Sequence, residues 1–222
     1  MSNAARPVER ADTDATATFR AAVRDLEAAM ERQRQRRPEL AFDNQPPPRK
    51  LAPYAAAVGA TVHDPAALHR GPGQEADAGE IGWGSFVLLY DPAGQDGWRG
   101  PLRVVVYLRA DLEAEIAADP LIGQVGWSWL TEALEARTEG YRQPSGTVTR
   151  VVTEGFGTKD GEATATSFEL RASWSPAGPG GLGGHLEAWC DALCMASGLP
   201  PLPAGVSALR TSRPPRRAER PR

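Results

Sequence analysis

The pair Asp160-Gly161, set between two runs of residues suited to strands, constrains what this chain can fold into more than any other feature. On its C-terminal side Phe168, Leu170, Ala172 and Trp174 alternate with Ser167, Glu169, Arg171 and Ser173, the period of two that turns one side of a strand to a core and the other to water. Asp-Gly favours the two-residue type I′ hairpin turn because both positions tolerate positive φ. Strands are therefore predicted over 147–156 and 163–174. A two-residue turn pairs Lys159 with Glu162, which sets Val152 opposite Glu169, Val151 opposite Leu170 and Arg150 opposite Arg171. Like charges ~5 Å apart at Cβ are unfavourable unless something lies between them. This register thus predicts a cationic patch of Arg150 and Arg171, joined by Arg109 and partly relieved by Glu169, that receives an acidic side chain or a phosphate. A register one residue different turns Arg150 to the other face.

Further strands follow from the same logic. Leu102, Val104, Val106 and Leu108 share a face in a strand over 102–109, the apolar run 86–90 ends at the turn-forming Asp91-Pro92, and the small apolar segment 51–62 supplies a first strand. Elsewhere the period is helical. Phe19, Val23, Leu26 and Met30 make one stripe of a helix over 16–37 bounded by Pro38. The prolines of 44–48 hold the chain extended and tether that helix, which can dock on its own chain or on a partner. Leu112 and Ile116 begin a short helix broken at Asp119-Pro120. A longer one over 124–137 carries Trp129, Leu130, Ala133 and Leu134 on one face, with Trp127 at its shoulder. A last helix, from Gly184, aligns Leu186, Trp189, Cys190, Leu193 and Ser197 and stops at Gly198.

Strands that come in runs, separated by helices, predict an α+β fold: a five-stranded, mainly antiparallel sheet with the 124 and 184 helices packed on one face. One domain is expected over 16–205, with 1–15 a disordered leader and 206–222 a disordered arginine-rich tail. A length of 222 residues, 41% of them hydrophobic and 24% charged, suits one globular domain. No apolar run approaches the ~18 residues of a membrane span, and no signal sequence is evident, so the expectation is a soluble protein of the cytoplasm.

Arginine needs care, because only Lys50 and Lys159 are lysines among 25 basic residues, a bias expected of a high-GC genome. The tail carries Arg210, Arg213, Arg216, Arg217, Arg220 and Arg222 against Glu219, leaving 19 basic and 27 acidic residues in the body. Such a tail can neutralise phosphates of RNA, DNA or anionic lipid, or fold back on the acidic body. It lacks the aromatic residues on which single-stranded bases stack.

Chemistry-bearing motifs are sparse. Gly178-Pro179-Gly180-Gly181-Leu182-Gly183 has the letters of a dinucleotide fingerprint. That motif needs a parallel βαβ unit and an acidic residue ~20 positions on, and neither is expected here. What survives is a helix N-terminus able to hold a phosphate or carboxylate. Cys190 and Cys194 share a buried helical stripe and supply half of a zinc site, so they are taken as reduced core thiols. His63 and His69 lie in a loop, and Ser145 has no evident base. No cofactor or metal is called, and no catalytic residue; a binding role is favoured over an enzymatic one. Trp83 and Trp98, in Gly-rich loops, and Trp127, at a helix edge, are candidate anchors for a protein partner, since tryptophan dominates interface hot spots.

The segments Leu51-Ala52-Pro53, Tyr90-Asp91-Pro92-Ala93-Gly94, Trp98-Arg99-Gly100, Ala118-Asp119-Pro120-Leu121, Trp127-Ser128-Trp129-Leu130, Ser145-Gly146-Thr147-Val148-Thr149-Arg150, Arg171-Ala172-Ser173-Trp174 and Trp189-Cys190 together resemble an actinobacterial family, domain of unknown function 3000. The resemblance implies no activity to carry over. The element order is also similar to that of secretion-chaperone-like folds, which implies a small binding domain.

Overall fold

A computed structural model describes residues 6–66, 79–159, 161 and 164–202. The chain runs α1 (Arg6–Arg36), β1 (Leu40–Asn44), β2 (Tyr54–His63), β3 (Glu80–Gln95), β4 (Gly100–Leu112), α2 (Ala114–Ala117), α3 (Ile122–Arg137), β5 (Tyr141–Thr153), β6 (Ala165–Pro176) and α4 (Leu182–Ala196). The sheet has the order β1-β2-β3-β4-β6-β5, and every adjacent pair is antiparallel. The α+β class and the antiparallel sheet are as expected, but the strands number six and not five. The added one is β1, whose five residues are too few for a period to stand out.

One face of the sheet carries the helices because it carries the large apolar side chains. Phe86, Leu88, Val104, Leu108, Phe168 and Leu170 are buried there. Helix α4 crosses β3 and β4, flanked by α1 and α3. It is therefore apolar on nearly every side, burying Leu186, Trp189 and Leu193 completely, each contributing about 2–3 kcal/mol of transfer free energy. Arg137 at the end of α3 ties that helix to α4 through Asp191 and, at 3.1 Å, Glu187. Burial works against the guanidinium's charge, but its hydrogen bond and charge pairing with Asp191, with Glu187 beside it, more than offset this and raise its pKa.

Several boundaries move. Helix α1 begins at Arg6, inside the expected leader, and its buried side is Ala22, Leu26, Ala29 and Met30 instead of a stripe through Val23. It docks on α4 of its own chain. The prolines follow β1 and join it to β2, so they tether no separate helix. Trp83, expected in a loop, lies within β3, a strand of 16 residues whose glycines disguise it. A Cβ at Gly84 would meet the Tyr107 carbonyl and lie 3.0 Å from the Trp189 ring, so the glycines let α4 and β4 approach. Trp98 stays in the β3–β4 turn.

The largest correction concerns the second hairpin. β5 ends at Thr153 and β6 begins at Ala165, with a 3-10 turn at Gly157–Lys159 between them, so no two-residue turn joins the strands. Thr147 faces Arg171, and Arg150 faces Phe168. The shift from the predicted register is an odd number of residues, so Arg150 lies on the opposite side of the sheet from Arg171, and the Arg150–Arg171 patch does not exist. Packing under α3 selects this register. Trp127 closes over Gly146, where a Cβ would be 2.6 Å from its ring, and Gly126 leaves room for the Phe168 ring. Accordingly Gly126→Ala, whose methyl would overlap the fully buried Phe168 ring, is expected to cost about 1–3 kcal/mol in urea unfolding. An unchanged midpoint would show that the α3–β6 contact is loose.

Candidate functional site

Among the described residues no helix lies on the other face of the sheet. Alternation fixes what it displays: Trp83, Ser85 and Val87 from β3 stand beside Arg109, Tyr107 and Val105 of β4, which stand beside Glu169, Arg171 and Ser173 of β6. Trp83 (40% exposed) and Tyr107 pack with ring centroids 5.0 Å apart, and the Arg171 guanidinium lies 5.3 Å from the Tyr107 ring centre. Arg171 also pairs with Glu169 at 3.1 Å while its side chain stays 63% exposed. Burial, then the charge and hydrogen bond of Glu169, raise the Tyr107 pKa, opposed by Arg109 and Arg171. Glu169 is thus shared by three neighbours and cannot fully neutralise either arginine.

Beside this cluster is an open concavity of about 650 Å³ with Val87 and Val105 as apolar floor and Ser85, Ser145, Thr147 and Ser173 around them. Next to it along β4, on the same face, is Arg103, only 9% exposed. Its guanidinium donates to Ser173 Oγ (2.6 Å), the Gln143 carbonyl (3.2 Å) and Ser175 Oγ (3.3 Å), and among the described residues no carboxylate pairs with it. Burial lowers its pKa. A buried cation held by neutral acceptors alone leaves a positive potential at the surface above it.

Of the residues singled out from sequence, the structure brings Trp83, Arg109, Glu169 and Arg171 together on this open face. It does not bring in the others. Arg150 donates to the carbonyls of Ala117 and Asp119 on the helix side, Trp127 covers Gly146 there, and Trp98 sits in its turn. Arg103 was missed, although its parity with Arg109 in the alternating β4 pattern was a signal for it.

The remaining motifs become structural. The glycine-rich segment leads into α4, and the Gly183 amide at its start donates to Asp25 Oδ2 at 3.0 Å. Cys190 and Cys194 are buried free thiols; burial raises both, Cys194 to about 12, which leaves them protonated and unreactive. His63 ends β2, and His69 lies outside the described residues. Among the described residues no group of three or more His, Cys, Asp or Glu is placed to hold a metal, and no helix is long and apolar enough to cross a membrane. The arginine tail is outside the described residues.

With this geometry in hand, comparison with family models gives one decisive result: the model described as Protein of unknown function (DUF3000) matches residues 15–207. The chain belongs to the DUF3000 family. No curated protein and no solved structure matches it. The match runs from within α1 past the end of α4, so the open face and the helix layer both belong to the family's domain.

Proposed function

We propose that this protein is a binding module, not a catalyst, whose open sheet face receives an extended, acidic segment of a partner protein. The observation that carries this reading is Arg103, a buried guanidinium that no carboxylate pairs with among the described residues, next to a concavity whose rim already holds the exposed Arg171. A carboxylate entering the concavity gains Arg171 directly and the field of Arg103 beside it, while Val87, Val105 and the Trp83–Tyr107 pair take the apolar side chains on either side of it. Arg109 and Glu169 set the charge at the far end of the site. Hydroxyls around the floor accept or donate to a peptide backbone.

Selection of random peptides displayed on phage against the full chain tests this. The expected product is a family of sequences with one Asp or Glu flanked by apolar residues, whose recovery drops at least about ten-fold on Arg171→Glu. Absence of enrichment, or enrichment indifferent to Arg171→Glu, overturns the reading.

A further inference from the structure

The two edges of the sheet are protected very differently. β1 is an edge of five residues that carries Asp43 and lies beside α1. β5, the other edge, has 13 residues and is exposed at nearly every one. Folded proteins blunt edge strands with brevity, proline, bulges or charge, because unpaired N–H and C=O groups pair readily with another strand. In β5 such devices occur only at the start, where Gln143 with φ 51°, Pro144 and a shift of register between Arg142 and Ser145 fall together. From Ser145 to Thr153 the pairing with β6 is uninterrupted. The one charge in that run, Arg150, is drawn aside to the carbonyls of Ala117 and Asp119. Exposed apolar side chains also gather here. Of the nine large ones exposed among the described residues, Val151, Val152 and Phe156 belong to β5 and its exit, and Ile116, Leu121 and Val125 to the α2–α3 segment against which Arg150 lies.

We infer that β5 pairs antiparallel with β5 of a second copy of this chain, about a two-fold axis at Thr149. The run 145–153 is its own complement in that arrangement. Thr149 faces itself, Val148 faces the partner's Arg150, Thr147 faces the partner's Val151, and Gly146 faces the partner's Val152. The two Arg150 guanidiniums never stand opposite one another. Val152, 61% exposed in the single chain, lands on a position that has no side chain because the Trp127 ring fills its space, and so packs on indole. The occupant is a second copy and not a foreign peptide, because the strand itself supplies a β-branched or small residue on at least one side of every facing pair and no facing like charge. The pairing leaves the Arg171 face uncovered and stands independently of the function proposed for it.

Sedimentation equilibrium of the full chain from about 1 to 100 μM tests the inference, since a single strand pair with an apolar rim falls in the small interface class with affinity on the order of micromolar. The mass is expected to rise from 23.7 kDa toward twice that value. Thr149→Glu puts two carboxylates across the axis beside Glu169 of each chain and is expected to weaken association roughly ten-fold. An equimolar mixture of T149E and T149K is expected to restore it. Because Thr149 is exposed, both variants keep the wild-type circular dichroism. A wild-type chain that stays monomeric, a dimer indifferent to T149E, or a mixture that associates no better than T149E alone overturns the inference.

Discussion

Trp189→Ala is expected to lower the free energy of unfolding by about 3–5 kcal/mol, a large share of the ~5–15 kcal/mol that holds a domain together. Trp189 is fully buried at the centre of the helix layer that covers one face of the sheet. Its ring lies 5.8 Å from that of Phe86 and against the backbone of Gly84, and its Nε1 donates to the Tyr107 carbonyl at 3.3 Å. Alanine leaves a cavity walled by β3 and β4, whose backbones cannot close on it because each is paired on both sides. It also leaves that carbonyl without its indole partner. Urea titration followed by circular dichroism measures the loss. A change below about 1 kcal/mol would show that α4 contributes little to holding the sheet.

Acid is expected to remove about 3 kcal/mol of stability between pH 6.5 and pH 4, through His185. This imidazole is buried, its Nδ1 accepts a hydrogen bond from Trp174 Nε1 at 3.0 Å, and burial, opposed in part by Asp25, lowers its pKa to about 4. The unfolded chain takes up a proton near pH 6.5 and the folded one only near pH 4, so within that window the unfolded state binds more protons. Stability is therefore complete above pH 6.5 and falls as the pH drops, at about 1.4 kcal/mol per unit. Protonated His185 has no acceptor left for Trp174, so the loss is one of packing as well as charge. His185→Gln retains an acceptor and does not titrate. Its unfolding free energy, measured at unit steps from pH 7 to pH 4, is expected to slope less than that of the wild type. Equal slopes would rule His185 out as the group responsible.

The open face was partly legible. Trp83, Arg109, Glu169 and Arg171 were named from sequence and lie together, because three of them belong to strands whose alternation assigns a face directly. Arg103 obeys the same alternation. Its importance comes from its neutral partners, with no carboxylate pairing with it among the described residues, and those partners lie 40 and 70 positions away. Trp83 was expected in a loop and lies in β3, since Gly82 and Gly84 mimic a loop and serve instead as clearance for α4. The DUF3000 resemblance carried over the length of the domain.

What the sequence determined by itself was the sorting of side chains: Phe168, Leu170, Ala172 and Trp174 went inward, as did Leu186, Trp189 and Cys190 on the last helix. Those outcomes follow from periods of 2 and 3.6, which a few consecutive residues suffice to express. Only the tertiary structure decided how β5 lies against β6. A tight Asp-Gly turn is a preference of four residues, whereas the observed register seats Trp127 over Gly146 and Phe168 beneath Gly126, contacts between segments 19 and 42 residues apart. Burial of two aromatic rings outweighs the turn preference, and because strand parity alternates, the resulting odd shift sent Arg150 to the helix side and left Arg171 facing the open concavity.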